Sequence, residues 1–555
     1  MSTSTDVAVE RPRDLRTRPT PPHGCLAVWS PTTFVALATL AIGLSGLRGA
    51  DYPAHFFRAL LWERSGPAVW DNLWYAGHAT PTYSLLAPAL MAWIGPFAVV
   101  AVGAIVATYC FTRLTVDLLP SSTTSAANHV FAAVVLVNVI VGRAPFALGL
   151  ALALLAVLAW SRAWIVIAVV AAALTALISP VAAVFLAIAA TSVALAGVRR
   201  RSSVADRTIV FQAVSIAVAT SAPLVVTSAL FGESGRFPFP GGSFVLSVLT
   251  LSLVAVAIPN RAVRFTAAVG AATAGVVFLV PNPMGANFVR LAQIVAVPLV
   301  VTAVPSVRRA LRVPVVLFIV VGLGWSLRPG VVAAIRQRGD PSLAAIYHQP
   351  LIEQVRTRNL DGRAVGRLEI PFTENHWETF YVAAEVPFAR GWERQVDVAR
   401  NPQLYDPALT VDQYHAWLLE NGVRWIAVAD VALDPSGANE RRLIDGRSAH
   451  RIPWLSPVWS NEHWRLFEVV DYVPIVDPPA QLVEQDPDSL LVSSPRPATV
   501  TIRYRYDEHQ TISGSACVEP DGAGWTVAHL PAAGLYRLTV DRAASWMHAA
   551  EAGCP

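Results

Sequence analysis

Apolar residues dominate the chain from 28 to 328, after which charged and aromatic residues are mixed as in an ordinary folded domain. A helix needs about 20 apolar residues to cross the bilayer hydrocarbon. Stretches near that length lie at about 29–47, 92–112, 126–142, 145–160, 163–178, 180–197, 208–230, 243–259, 264–281, 288–305 and 313–328. Taken as one helix, 163–197 would be roughly 52 Å long at 1.5 Å per residue. Ser179-Pro180 divides it more naturally into two short spans. Residues 83–91, with Pro88, suit an interfacial helix before the second span. The pattern predicts a multi-pass α-helical membrane protein of about eleven spans.

Beyond Arg328 the periodicity changes. Val365–Ile370, Val423–Ala429 and Trp464–Val470 read as strands. Val411–Asn421 has helical spacing and Gly422 is a fitting stop. Alternating strand and helix predict an α/β domain over 329–475. After the proline-rich joint at Pro474–Pro479, the segments Ala498–Tyr506, Gly524–His529 and Gly534–Val540 alternate apolar and polar positions. They predict a small β-rich, sandwich-like domain over 476–555. The organisation expected is therefore a disordered cytoplasmic tail (1–27), a transmembrane domain (28–328) with its first outer loop at 48–91, and two extracytoplasmic domains.

Composition agrees with that division. Of the 555 residues 14% are charged and 54% hydrophobic, against about 25% charged in soluble domains. The mean hydropathy is +0.48. The 42 basic residues are all arginine, which a GC-rich genome explains without any functional cause. Net charge is only +4, so nucleic acid is not an expected partner. The placement of the arginines says more. Arg162, Arg199–Arg201 with Arg207, Arg261 with Arg264, and Arg308, Arg309 and Arg312 all fall in alternate connections. Arginine marks the cytoplasmic side, so the N-terminus is expected inside and the C-terminal part outside, in a plasma membrane. Residues 1–27, with Arg11, Arg13, Arg16 and Arg18 and three nearby prolines, do not resemble a signal peptide. Cys517 and Cys554 both fall in the outer part, where a disulfide is possible but not fixed by spacing.

Candidate chemistry gathers just after the first span. Asp51 stands at the mouth of the membrane, where a carboxylate loses hydration at a cost. His55 and Arg58 follow it at helical spacing, so carboxylate, imidazole and guanidinium share a face. Such a set suits removal of a proton from a sugar hydroxyl beside an anionic leaving group. The plainer reading is an interfacial carboxylate paired with Arg48 or Arg58. Arg290, near the outer start of a late span, suits a phosphate contact, and so does a snorkelling role. Arg236 and Arg143, in outer loops, are further phosphate candidates. His78 and Tyr83 suit an acceptor site or an interfacial aromatic belt; Trp62, Trp70 and Trp74 suit the belt or a loop core. His376-Trp377-Glu378 and Trp392-Glu393 offer aromatic faces and carboxylates to a glycan, and equally suit a domain core. No Walker-type loop, metal-spaced Cys/His set or Gly-x-Ser-x-Gly elbow is present.

The run Asp51-Tyr-Pro-Ala-His55-Phe-Phe-Arg58, with Trp70-Asp-Asn-Leu-Trp74-Tyr-Ala-Gly-His78 and Pro81-Thr-Tyr83, resembles the first outer loop of polytopic glycosyltransferases of the GT-C fold. The resemblance is closer to an actinobacterial group of integral membrane proteins. That group shares Gly285-Ala-Asn-Phe-Val-Arg290-Leu, Ala389-Arg-Gly-Trp-Glu-Arg-Gln395 and Trp464-Arg-Leu466, and the likeness covers about residues 30–475. It implies a sugar transferase that takes its sugar from a polyprenyl phosphate at the outer membrane face and passes it to a cell-envelope glycan or lipid acceptor. Asp51 is then the general base, and Arg290, Arg236 and Arg58 contact the donor phosphate. Some members bind a divalent metal through a second acidic residue. Here Tyr52 follows Asp51, which puts a metal in doubt and leaves Arg or His to serve instead. The alternatives are a secondary transporter, disfavoured by spans nearly free of charge, and a non-catalytic scaffold for envelope assembly.

Overall fold

The computed structural model describes residues 23–67, 69–81, 83–119, 121–198, 204–232, 235–445, 452–540 and 554. Residues 1–22 of the expected tail and the Arg199–Arg201 cluster lie outside them. Each predicted apolar stretch falls on a helix. In chain order these are α1 (His23–Ser45), then α2 (Tyr52–Ser65) and α3 (Ala87–Ile94) around a two-stranded ribbon, β1 (Trp70–Asp71) and β2 (His78–Ala79). There follow α4 (Pro96–Leu118), α5 (Thr124–Val141), α6 (Ala144–Ser161), α7 (Ile165–Ile178), α8 (Pro180–Val198) and α9 (Val204–Phe231). The series ends with α10 (Gly241–Ala257), α11 (Arg261–Leu279), α12 (Gly285–Ser306) and α13 (Arg312–Arg336). Eight of these helices are long and apolar enough to cross a membrane; α1, α7 and α10 are shorter apolar helices. The chain is a multi-pass helical membrane protein with a β-rich C-terminal part. Val313, Leu317 and Val320 on α13 are each more than 60% exposed, a face that lipid covers.

Two boundaries differ from expectation. Helix α1 begins at His23, inside the expected tail. Helix α13 runs on to Arg336, eight residues past the predicted end, because Pro329 sits within it without stopping it. The division of α7 from α8 is as read: Ser179 is extended (φ −147°) before Pro180, the conformation proline imposes on its predecessor.

Successive connections alternate between the two ends of the bundle. At one end Arg162 donates to Asp117 (2.5 Å), while the Ser121 and Thr123 hydroxyls donate to the carbonyls of Thr302 and Val301. At the other end the turns after α1, α5, α7, α9 and α11 gather beneath the C-terminal part.

That part opens with α14 (Ala345–Asn359) and carries a mixed sheet in the order β3-β4-β6-β5. Its strands are β3 (Arg367–Glu369), β4 (Val423–Ala429), β5 (Leu455–Ser460) and β6 (Trp464–Val469); β3 runs parallel to β4 and the other pairs are antiparallel. Between them lie α15 (Glu378–Tyr381), α16 (Arg394–Arg400), α17 (Val411–Glu420) and α18 (Ala438–Asp445). Helix α17 starts with a reciprocal Thr410–Gln413 capping box, and Gly422 after it has φ 63°. All seven residues of β4 are buried, as befits a central strand. A seven-stranded sandwich follows: one sheet pairs β10 (Gln510–Ile512), β13 (Gly534–Val540), β8 (Ser489–Ser494) and β7 (Gln481–Gln485), and the other β11 (Cys517–Pro520), β12 (Trp525–Leu530) and β9 (Ala498–Arg505). Cys517 and Cys554 are joined by a disulfide.

The first outer loop does not stay with the bundle. Phe57, Trp74 and Tyr75 belong to the same core as Leu368, Trp425 and Leu466 of the mixed sheet. The Phe57 and Trp74 rings stack at 4.0 Å and 4°, with Trp74 fully buried. Large aromatic rings gain most from burial, which is why the Trp-rich loop enters this core instead of a membrane belt. The bundle and the C-terminal part are thereby packed together.

Candidate active site

Asp51 owes its position to the end of α5. Its amide donates to Val141 O (3.1 Å), the Gly49 amide to Ile140 O (3.0 Å), and the Tyr52 hydroxyl to Val139 O (2.8 Å). Gly142 then turns the chain at φ 99°, and a Cβ there would lie 2.5 Å from the Tyr52 ring. Only glycine fits that turn. The next residue, Arg143, comes to rest with Nε 3.7 Å from Asp51 Oδ2. This is an ion pair without a hydrogen bond, and the Asp51 side chain keeps 33% exposure. The expected partners are otherwise engaged. Arg48 lies over the Phe97 ring at 4.2 Å, and Arg58 donates to Glu393 Oε2 at 2.5 Å.

Asp51 faces a cavity of about 850 Å³ between the bundle and the C-terminal part. Five arginines line it (Arg58, Arg143, Arg290, Arg328 and Arg394) against two carboxylates (Asp51 and Glu393), an excess of three positive charges. Arg290 sits where α12 passes from a 3-10 turn (Gly285–Phe288) into a π segment (Leu291–Ala296). Such local widening of a helix is frequent at functional sites. Its guanidinium lies 4.8 Å above the Phe146 ring. Neither Arg290 nor Arg328 makes a hydrogen bond or ion pair with the described residues. Val181, Val184, Leu224 and Phe237 give the cavity an apolar side toward the spanning helices.

The roof is the segment from Trp392 to Val396. Arg390, fully buried, anchors its start: Nε and Nη2 donate to the two oxygens of Asp397 (3.1 and 2.7 Å), and Nη1 donates to Glu440 (2.5 Å). The Tyr75 hydroxyl donates to Gly391 O (2.5 Å) and accepts from the Glu393 amide (2.8 Å). A Cβ on Gly391 would lie 2.4 Å from the Trp74 ring. The Arg-Gly-Trp-Glu-Arg run thus ties the roof to the first outer loop.

The sequence candidates separate on this geometry. Asp51, Arg58, Tyr83 and Arg290 line the cavity. Tyr83 lies 4.0 Å beneath the Arg58 guanidinium, and burial raises its phenol pKa. His55 is 1% exposed behind that ring at 5.8 Å, with neither nitrogen hydrogen-bonded. Burial first, then Arg58 and Arg290, push its pKa well below 6.5 and keep it neutral. The expected face of carboxylate, imidazole and guanidinium therefore presents only the first and last to the cavity. His78 is buried against Trp74, 3.5 Å from Asp71, and does not line the cavity. Arg236 is exposed in the loop before α10; its neighbours Gly235 and Phe237 line the cavity while it does not. The two aromatic clusters also part: His376, Trp377 and Glu378 are buried, whereas Trp392 and Glu393 reach the cavity. Arg328 was not among the sequence candidates, and Glu393 was one only as a glycan contact or domain-core residue, not as the partner of Arg58. Glu393 stood in the conspicuous Arg-Gly-Trp-Glu-Arg-Gln run, and Arg328 gave the same signal as Arg290, a guanidinium at the outer end of a late span.

A divalent metal does not fit beside Asp51, because the group set against that carboxylate is the Arg143 cation. Among the described residues, the cluster of three metal-type ligands is Glu519, His529 and Cys554, in the sandwich, and the Cys554 sulfur is already bonded to Cys517.

No family model matches the chain, and no curated protein does. Among solved structures it is similar to the mycobacterial arabinofuranosyltransferase AftD (TM-score 0.45, 15% identity), over 82% of this chain and 42% of that one. This chain thus spans less than half the length of that enzyme. It is also similar to the Archaeoglobus fulgidus oligosaccharyltransferase in its apo form (TM-score 0.44, 12% identity), over 73% of this chain and 70% of that one. The same oligosaccharyltransferase tethered to an acceptor peptide matches at TM-score 0.40 and 13% identity, over 73% and 69%. Both proteins are named as sugar-transferring enzymes.

Proposed function

We propose that this protein is a GT-C-type membrane glycosyltransferase of the plasma membrane, moving a sugar from a polyprenyl-phosphate donor to a cell-envelope glycan or glycolipid. The observation that carries the reading is that Asp51 and Arg290 line one cavity with apolar walls on its bundle side. In this reading the cavity end is extracytoplasmic, following the arginine-rich alternate connections at the opposite end. Residues 28–328 form the membrane domain, and 329–475 and 476–555 form two outer domains.

The chemistry follows from charge. The Asp51 carboxylate takes the proton of the acceptor hydroxyl as its oxygen bonds to the anomeric carbon. The bond from that carbon to the phosphate oxygen breaks on the opposite face, and the configuration inverts. The departing polyprenyl phosphate keeps the electron pair, and Arg290 and Arg143 hold its negative charge, guanidinium being well matched to phosphate oxygens. The prenyl chain lies along Val181, Val184 and Leu224. General-base catalysis is worth about 10²–10⁴ in rate. In purified protein given labelled polyprenyl-phosphate sugars and envelope glycan fragments, Asp51→Asn is expected to lose transfer by about that factor at unchanged expression. Undiminished transfer by Asp51→Asn removes Asp51 from the mechanism.

A further inference from the structure

The roof of the cavity carries an aromatic side chain to which the transfer chemistry assigns no role. Trp392 is only partly buried and lines the cavity. One side of its indole is backed by the His376 imidazole, stacked at 3.4 Å and 15°, and the Phe372 ring meets it edge-on at 5.4 Å. His376 is itself fully buried, with φ 59° and carboxylates of Asp434 and Glu378 at 3.6 and 4.0 Å. The Trp392 indole is therefore held in a fixed plane. Its N–H makes no hydrogen bond with the described residues. A rigid aromatic with an unused donor, facing the cavity, has the makings of a carbohydrate platform. The C–H face of a sugar ring is apolar and carries slight positive charge, so it packs on the negative face of a π system. The indole N–H is then left as a donor for a ring hydroxyl.

We infer that Trp392 is the sugar-stacking platform of an acceptor subsite, supplied to the cavity by the C-terminal part. The inference rests on the transferase reading for the word acceptor and on the geometry alone for the sugar. The side of the cavity decides which sugar it is. A lipid-linked donor must keep its chain against the apolar spanning helices and its phosphate at the arginines, whereas Trp392 belongs to the roof, the side from which a water-borne glycan arrives. The ligand class is a ring sugar at the end of a glycan.

Binding is measured apart from catalysis, by saturation-transfer NMR on the detergent-solubilised full chain with simple methyl glycosides, among them methyl mannopyranoside and methyl arabinofuranoside. Wild type is expected to saturate the ring C–H protons of at least one glycoside. Trp392→Leu is expected to weaken that binding about tenfold. Trp392→Phe keeps a π face but no N–H, and it is expected to fall between the two, which keeps the test valid if the Leu variant folds poorly. Absence of saturation for every glycoside, or equal binding by wild type and both variants, overturns the platform. Transfer assays separate the two ideas. Glycoside binding through Trp392 in a protein that uses no polyprenyl-phosphate donor leaves the platform standing and sinks the transferase. Asp51-dependent transfer, with glycoside binding indifferent to Trp392, does the reverse.

Discussion

Arg58 and Glu393 stand 335 residues apart in the chain and meet at 2.5 Å, with side-chain exposures of 5% and 9%. The pair joins the helix that follows Asp51 to the roof above it, and Arg58 also covers the Tyr83 ring at 4.0 Å. Removing one partner of such a buried pair strands a charge, at a cost of about 3–5 kcal/mol. Glu393→Ala is expected to lower the thermal midpoint markedly. The double variant Arg58→Leu/Glu393→Leu is expected to lose less than the sum of the two single variants. Additive losses in a double-mutant cycle on purified protein would show that the pair is not coupled.

The two cations nearest the proposed phosphate position divide the kinetics differently from Asp51. Arg290 has an aromatic neighbour but no ion-pair partner among the described residues, so it is free for an anion. Arg290→Ala is expected to raise the donor KM and lower kcat/KM for the donor by about tenfold to a hundredfold, as the loss of a charged hydrogen bond implies. The acceptor KM is expected to hold. Arg143→Ala removes the cation beside Asp51 as well, so both kcat and donor KM are expected to change. An Arg290→Ala enzyme with wild-type donor kinetics would remove that residue from the site.

How much of this was legible in the sequence depends on the range of the interaction. The bundle was readable because a spanning helix is specified by its own composition, and each predicted stretch falls on a helix. The strands β4, β6, β9 and β12 were readable from short alternating or continuous apolar runs, whereas β5, β7 and β8 lacked so clear a pattern. What escaped was every contact between distant segments. Asp51 meets Arg143 only because Gly142 reverses the chain after α5. Phe57 lies on Trp74 in a core otherwise built hundreds of residues later. His55 shared the helical spacing of Asp51 and Arg58, but spacing cannot say that Tyr83 stands between it and the cavity. The Arg-Gly-Trp-Glu-Arg-Gln run was conspicuous without being interpretable, because apart from the Arg390–Asp397 pair its main side-chain partners, such as Glu440, Arg58 and His376, lie in distant segments.

Gly391 gives a steric test of that run. A methyl group there would sit 2.4 Å from the Trp74 ring, which is fully buried and stacked on Phe57 at 4.0 Å. A contact that short forces either the buried ring or the Gly391 backbone to move, so Gly391→Ala is expected to displace the roof. Overpacking of this kind costs about 1–3 kcal/mol. The variant is expected to melt earlier than wild type and to lose transfer, while Ala389→Gly, one residue before Arg390, is expected to affect stability without the same loss of transfer. A Gly391→Ala protein of normal activity would mean that the roof tolerates movement.

The carboxyl groups around Arg390 set a pH dependence whose sign differs from that of ordinary surface ion pairs. Burial is the largest influence on Glu440 and lifts its pKa from 4.5 to about 7, with the Arg390 guanidinium only partly opposing it. Glu369, 3.6 Å from the same guanidinium, is also raised well above its usual value by burial. In the unfolded chain Glu440 releases its proton near pH 4.5, whereas the folded protein retains it to about 7. The native state therefore binds more protons in that interval, and stability falls as pH rises through it. Carboxylates with depressed pKa values, such as Asp430 and Asp445, act the other way and only below the usual carboxylate range. Between about pH 4.5 and 7 Glu440 and Glu369 therefore contribute a falling slope, and the buried imidazoles of His55, His78 and His348, held below 6.5, contribute a rising one. Glu440→Gln keeps an oxygen for Arg390 and has no proton to release. It is expected to remove the falling contribution of Glu440, so that the midpoint of the variant gains on that of wild type between about pH 5 and pH 7. Parallel melting profiles for the two proteins would show that Glu440 ionises in the folded state as it does in the unfolded one.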